Sequence, residues 1–335
     1  MIYPRTWRFI PSLLIGGSVT LHLICLVLYT RLPDRFAAFT TFPIWVWGFF
    51  GLAACAFAYL FYKARLSLFF SVVWLFTLFL LADESLVIGS NHGQGPQSGR
   101  AKPFQGSPTI RVATLNCAGQ ANFEKFLAGF QPDIVFLQEI PHSYLLKNFT
   151  DTLYNGQGDY RYNNVNRCAV IVRGTLDREI KVPNFRSQHL TTTLPDGRKI
   201  QVVNLHLQAA STNLRLWTRD CWREHRTNRQ LRRLELSYAL GVLQQKTAYP
   251  RIPALVAGDF NAPANDAVYQ LLKPDFVDAF NASGSGWGNT FHRAAPLLRI
   301  DHIFASKQRF IPVRSRAFTI PDSDHRLLIA DFILK

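Results

Sequence analysis

Asp259 and Asn261 stand one residue apart in the stretch VAGDFNAPA, where an apolar run from Ile252 to Ala257 ends in Gly258. On an extended segment, residues i and i+2 point to the same face. The two would then offer a charged oxygen and a neutral amide to one point, which suits a hard cation or a water held against a phosphate. A plain turn is the alternative, because Asp and Asn side chains satisfy nearby backbone donors after a strand. Asn116, Glu139, His206, Asp301, Asp324 and His325 also lie at or next to the ends of apolar, strand-like runs. Any one alone reads as a turn, a cap or a satisfied buried group. The ordered set reads as a site assembled from loops at one edge of a layered fold.

The runs that would position these residues are legible from residue 109 onward. TIRVATLN (109–116), DIVFLQEI (133–140), CAVIVR (168–173), KIQVVNLHL (199–207), IPALVAGDF (252–260), RIDHIFAS (299–306) and LLIADFIL (327–334) read as strands. NFEKFLAGF (122–130) and an Arg-rich stretch at about 222–246 carry helical spacing. Many strands mixed with a few helices predict an α/β or α+β sandwich.

The chain has 335 residues and a formal net charge of +15, unevenly spread. The first 90 residues hold six basic and three acidic groups, leaving 31 and 19 for the remainder. That basic remainder favours anionic partners: nucleic acid, phospholipid headgroups or small phosphorylated molecules. Five cysteines with no C-x-x-C pair predict neither a disulfide framework nor a zinc site. Three apolar stretches, at about Phe9–Tyr29, Ile44–Tyr62 and Leu66–Ala82, predict three transmembrane helices within residues 1–88. His22, inside the first, reads as a helix-packing residue. Arg5, Arg8, Lys63 and Arg65 on one side against Arg31 and Arg35 on the other favour an N-terminus inside, with the C-terminal part outside the cytoplasm. Residues 89–108, rich in Gly, Ser, Gln and Pro, read as a flexible linker to a domain at 109–335.

TLN with Asn116, DIVFLQEI with Glu139, NLHL with His206, GDFNA, RIDHIF and SDHRLLIADF occur in that order. Together they resemble the endonuclease/exonuclease/phosphatase superfamily, over about residues 109–335. The resemblance implies a four-layer α/β sandwich of two packed, mainly antiparallel sheets. It also implies hydrolysis of phosphate esters with a divalent cation, usually Mg²⁺, with Mn²⁺ as the substitute. Glu139 is then expected as the main metal ligand, with Asn116 beside it and Asp324 adding a carboxylate. Asp301 and His325 are expected as an acid–histidine pair. Asp259 and Asn261 would orient the attacking water and hold the phosphate, and His206 would donate to the phosphate or leaving group. The general base stays open between Asp259 and His325. His302 falls on the opposite strand face from Asp301 and reads as structural.

Arg229 and Arg233 are four apart in a cluster of arginines after His206 and would share a helix face, either solvated or gripping substrate phosphate. The expected activity is a membrane-anchored phosphodiesterase acting on nucleic acid. The alternative is a lipid-directed phosphoesterase of sphingomyelinase or phosphoinositide type. A third reading is a non-catalytic scaffold, which the intact polar set disfavours. The partners expected are the phosphate-ester substrate and the bilayer, with no protein partner.

Overall fold

A computed structural model describes residues 9–85, 95–120, 122–182 and 186–335. Its strands are β1 (Thr109–Asn116), β2 (Ile134–Gln138), β3 (Gly158–Asn163), β4 (Cys168–Arg173), β5 (Thr175–Leu176), β6 (Ser187–Thr193), β7 (Lys199–His206), β8 (Ala254–Asp259), β9 (Phe276–Asp278), β10 (Asp301–Ser306), β11 (Phe310–Phe318) and β12 (Leu327–Leu334). They form two six-stranded sheets, ordered β11-β12-β1-β2-β4-β3 and β5-β6-β7-β8-β10-β9. Each sheet has one parallel pair near its middle, β1–β2 and β7–β8, and is antiparallel elsewhere.

A parallel pair needs a crossover long enough to carry a helix. The helix Glu124–Phe130 lies in the first crossover and Arg219–Lys246 in the second. Ile110, Val112, Phe136 and Val170 of one sheet pack on Val202, Leu255 and Ile303 of the other. Leu127, Leu146 and Phe149 cover the outer face of the first sheet, and Leu236, Ala239 and Leu243 that of the second. The result is the expected four-layer sandwich. All five cysteines are buried and unpaired.

The N-terminal helices run Phe9–Arg31, Ile44–Tyr62 and Leu66–Leu81. The first two are long and apolar enough to cross a membrane, and only 22% and 28% of their apolar windows are buried. Three full spans were expected, but the third helix has only 16 residues. At 1.5 Å per residue it reaches about 24 Å, short of a hydrocarbon core of about 30 Å. Its outward residues Phe69, Val72, Phe76 and Phe79 are nonetheless exposed and apolar. His22 packs as expected, bonding Thr77 at 2.8 Å and meeting the edge of Trp74.

The segment expected as a flexible linker, 89–108, lies outside the described residues up to 94 and is tied down from 95. Arg111, buried in β1 and paired with Asp331 at 2.7 Å, also donates to the carbonyls of Gln97 at 2.7 Å and Gly99 at 2.6 Å. A buried guanidinium needs acceptors for all its donors, and the backbone of this segment provides two.

Gly258 of β8 lies opposite Leu205 of β7, with φ of 138°. A Cβ there would lie 2.0 Å from the Leu205 carbonyl oxygen. Gly258→Ala should therefore destabilise the chain by about 3 kcal/mol or more, combining left-handed strain with a backbone clash. The check is the thermal unfolding midpoint of the full chain, with Gly286→Ala as a control. Gly286 also has positive φ, but a Cβ there would meet the Arg316 Nε at 3.7 Å, an ordinary contact.

Candidate active site

Sheet topology brings the polar strand ends together. β1 and β2 run parallel with Asn116 opposite Gln138, so Asn116 and Glu139 leave the first sheet at one edge. β12 is antiparallel to β1 and starts at that edge, directly after Asp324 and His325. In the second sheet His206 lies opposite Asp259, and Asp259 opposite Asp301 at the start of antiparallel β10. The facing edges of the two sheets thus hold Asn116, Glu139, His206, Asp259, Asn261, Asp301, Asp324 and His325.

The Asp259–Asn261 spacing works differently from simple alternation. The strand stops at Asp259, and Asn261 adopts a left-handed φ of 52°. One Asp259 oxygen, Oδ1, accepts the Asn261 N–H at 2.8 Å and makes a turn. The other, Oδ2, accepts from Asn116 Nδ2 at 3.0 Å and lies 3.9 Å from His325 Nε2 and 4.0 Å from His206 Nε2. The turn reading and the site reading therefore describe two oxygens of one carboxylate. Asn261 spends an amide hydrogen on the Leu207 carbonyl at 3.0 Å. Glu139 is also left-handed, with φ of 53°, immediately after β2. Non-glycine residues rarely occupy this region, and such strain gathers at functional sites.

Asn116, expected beside Glu139 at the metal, lies between two carboxylates. Its Oδ1 accepts the Ala118 N–H at 2.9 Å, which turns the NH₂ group toward Glu139 Oε1 at 3.1 Å and Asp259 Oδ2 at 3.0 Å. Two carboxylates bridged in this way lie within about 6 Å, where their repulsion is about 3 kcal/mol at an effective dielectric of about 20. The amide offsets part of that repulsion. His206 Nε2 approaches Glu139 Oε1 at 3.4 Å.

His325 Nδ1 donates to Asp301 Oδ2 at 2.8 Å. Burial works against the imidazolium, but Asp301 and then Asp259 outweigh it and raise His325 to about 10. Burial, followed by the neighbouring Asp301, pushes the Asp259 carboxyl above its ordinary range against the pull of His325. At neutral pH His325 is thus a cation held between carboxylates.

Other groups here were not singled out from sequence. Gln138 Nε2 donates to Asn204 Oδ1 at 2.7 Å, joining the sheets beneath Glu139 and His206. Ser323 Oγ donates to the Asn116 carbonyl at 2.6 Å and accepts the His325 N–H at 2.9 Å. Thr290 Oγ1 accepts the N–H groups of Ile300 at 3.2 Å and Asp301 at 3.1 Å. A polar residue inside an apolar run was the available signal for Gln138 and Asn204. Thr290 lies in a loop without one. His302 points away from Asp301, as expected, and bonds Asp278 at 2.9 Å.

Arg229 and Arg233 are not at the site, which corrects their expected part in substrate binding. Arg229 is fully buried, donating to Asp266 at 2.9 Å and to Thr40 Oγ1 at 2.7 Å. Arg233 pairs with Asp34 at 2.5 Å. Their shared helix face meets the turn between the first two apolar helices, so helical spacing was right and its partner was not.

The donors fit a divalent cation. Glu139, Asp259, Asp301 and Asp324 gather with histidines as their only cationic partners among the described residues. Asp259, Asp301 and His325 form a buried group whose ligand atoms lie within 4.8 Å of one another. His325, bonded through Nδ1 and carrying charge, balances that group. Glu139 and Asp324 remain without a full counter-charge, and Asp324 Oδ1 is buried without a hydrogen-bond partner. Hard oxygen donors of this kind suit a hard divalent cation.

Known proteins share this architecture. The catalytic domain of human Nocturnin, solved with a bound sulfate anion, is 22% identical over 68% of this chain and 96% of its own, with a TM-score of 0.50. An endonuclease/exonuclease/phosphatase from Bacteroides vulgatus is 17% identical over 68% and 100%, with a TM-score of 0.51. A mannosyl-6-phosphatase from Bacteroides thetaiotaomicron is 16% identical over 67% and 99%, with a TM-score of 0.51. At these identities the likeness is one of fold. No curated protein matches the chain in sequence. The profile of the Endonuclease/Exonuclease/phosphatase family matches residues 113–325, and its span includes every strand end described above. The chain is a member of that family of phosphate-ester hydrolases.

Proposed function

We propose that this chain is a membrane-anchored phosphodiesterase that works with a divalent cation, and that nucleic acid is its simplest substrate. The observation that carries the reading is the cluster at the sheet edge: a buried His325 bonded to Asp301 and facing Asp259, beside Glu139 and Asp324, whose only cationic neighbours among the described residues are histidines.

Glu139 and Asp324 would hold the cation. The chemistry it supplies when bound is polarisation of a phosphoryl oxygen and stabilisation of the leaving oxyanion. The protein's own groups divide the remaining work. His325, kept charged by Asp301, donates to a phosphoryl oxygen rather than accepting a proton. That leaves Asp259 as the group to align and deprotonate water, and its raised pKa makes it the stronger base for the task. Asn261, with one amide hydrogen on Leu207, keeps the other for the phosphate. His206 Nε2, near Glu139 and Asp259, would donate to the phosphate or leaving group.

Two helices of spanning length and their exposed apolar faces support the anchor. The basic flanks in the sequence support an N-terminus inside and a catalytic domain outside the cytoplasm. A second substrate class, a phospholipid headgroup, is favoured by one contact set: Asp34, Thr40 and Thr41, in the turn between the first two helices, bond Arg233, Arg229 and His225 of the catalytic domain. The domain therefore sits directly against the helix ends.

The full chain in detergent, supplied with Mg²⁺, should nick plasmid DNA or release a headgroup from a phospholipid panel. Asp259→Asn is expected to lower turnover about 10²–10⁴-fold. Glu139→Gln should raise the Mg²⁺ concentration needed for half-maximal rate. No turnover on any phosphodiester, with folding intact, would reject the reading.

The pH profile follows from His325. Its folded pKa is raised, so the charged form and its stabilising contribution are present below the ordinary value of 6.5 and are lost as pH rises through about 10. Wild-type kcat/KM should fall on the alkaline side near that value. Asp301→Asn, which removes the largest charge holding the proton, should move this limb to lower pH. An unmoved limb would separate His325 from the reaction.

A further inference from the structure

Arg299 is a buried cation two residues before Asp301. Its Nε and one terminal nitrogen donate to both oxygens of Asp83, each at 2.8 Å. Its other nitrogen donates to Asp278 at 2.7 Å, and Asn281 Oδ1 accepts a further bond at 2.5 Å. Asp83 follows the third apolar helix by two residues. A two-oxygen clamp on a planar guanidinium fixes direction as well as distance.

The next residue, Glu84, grips an adjacent segment. Its Oε1 accepts from Asn289 Nδ2 at 2.9 Å and from Trp45 Nε1 at 3.1 Å. Asn289 precedes Thr290, whose hydroxyl takes the Ile300 and Asp301 N–H groups and whose carbonyl accepts the Arg326 N–H at 2.8 Å. Arg326 follows His325. One acidic dipeptide thus reaches both members of the Asp301–His325 pair, through Arg299 on one side and Asn289–Thr290 on the other.

We propose that Asp83 and Glu84, at the end of the third apolar helix, are positioning residues for the Asp301–His325 pair, so that the N-terminal helical unit is part of the catalytic apparatus and not only a tether. This rests on the reaction assigned to that pair above. The Asp34–Arg233 ion pair supplies the internal control. It belongs to the same contact between the helices and the catalytic domain, yet it touches none of the segments that carry the pair.

The test uses the full chain in lipid nanodiscs with Mg²⁺ and bis(p-nitrophenyl) phosphate as probe substrate, beside amide hydrogen exchange. Asp83→Asn should lower kcat about tenfold at unchanged KM, as small misplacements of reacting groups do. It should also speed exchange in residues 299–306 while leaving 109–116 unchanged. Asp83→Glu, which restores the charge, should recover at least half of the lost kcat, and Asp34→Asn should leave both readouts at wild type. Wild-type kcat and exchange in Asp83→Asn, equal losses in Asp34→Asn, or faster exchange throughout both sheets would each overturn the proposal. If the wild-type chain turns over no phosphodiester, the reaction assignment fails by itself, and exchange at 299–306 alone decides whether Asp83 holds this segment.

Discussion

Several of the site's short polar contacts cross from one sheet to the other. Asn116 of β1 reaches Asp259 of β8 at 3.0 Å, and Gln138 of β2 reaches Asn204 of β7 at 2.7 Å. His325, two residues before β12, reaches Asp301 at the start of β10 at 2.8 Å. Neither sheet contains the site alone. The apolar packing between the sheets sets their spacing, and the polar contacts at the edge require that spacing to be held closely. Gln138 and Asn204 belong to this constraint: each is fully buried, so each must find its partner across the gap. Once the seam is fixed, the carboxylates crowd, Asn116 bridges two of them, and His325 keeps its proton.

The basic excess of the chain is used inside as well as outside. Arg111, Arg229 and Arg299 are among the most buried side chains, and each meets a carboxylate. Burial disfavours a lone cation strongly, so each requires its acid in place. Burial opposes the charge of Arg299, but Asp278 and then Asp83 hold its pKa well above the ordinary guanidinium range. Such pairs add little to stability against apolar residues of the same volume. They do fix geometry, because a guanidinium fork accepts few arrangements. In this chain Arg299–Asp83 fixes the lead into β10 against the N-terminal helices, Arg229–Asp266 fixes the crossover helix Arg219–Lys246 against the turn at Ala267, and Arg111–Asp331 joins β1 to β12.

The central strands were legible in the sequence because both of their faces are buried and they read as continuous apolar runs. β1, β2, β4, β7, β8, β10 and β12 fall where such runs predict them. The edge strands escaped. β3, β5, β9 and β11 lie at sheet margins, and β3 is half-buried along its whole length. β6 carries three threonines and a histidine, with no clear apolar alternation. The residues gathered at the site were legible one by one, through their order and their place at strand ends. Their partners were not. Whether Arg229 faces solvent, substrate or Asp266 depends on which element covers its helix, and helical spacing carries no such information. In the sequence Asp83 and Glu84 simply follow an apolar run. Their contacts with Arg299 and Asn289 span 216 and 205 residues of chain, beyond any local pattern.

If the chain is anchored in a bilayer as proposed, the shortness of the third apolar helix has a consequence for the lipid around it. Sixteen residues span about 24 Å, and the acidic end is clamped to Arg299, so the helix is not free to slide along the bilayer normal. Its two neighbours are of full spanning length. In a bilayer of ordinary thickness, the mismatch of about 6 Å must be met by thinning the lipid on that side or by drawing flanking side chains toward the interface. Either response loads the same joint that holds the lead into β10. Acyl-chain length, a property of the solvent rather than of the substrate, thereby becomes a mechanical variable at the protein's catalytic edge.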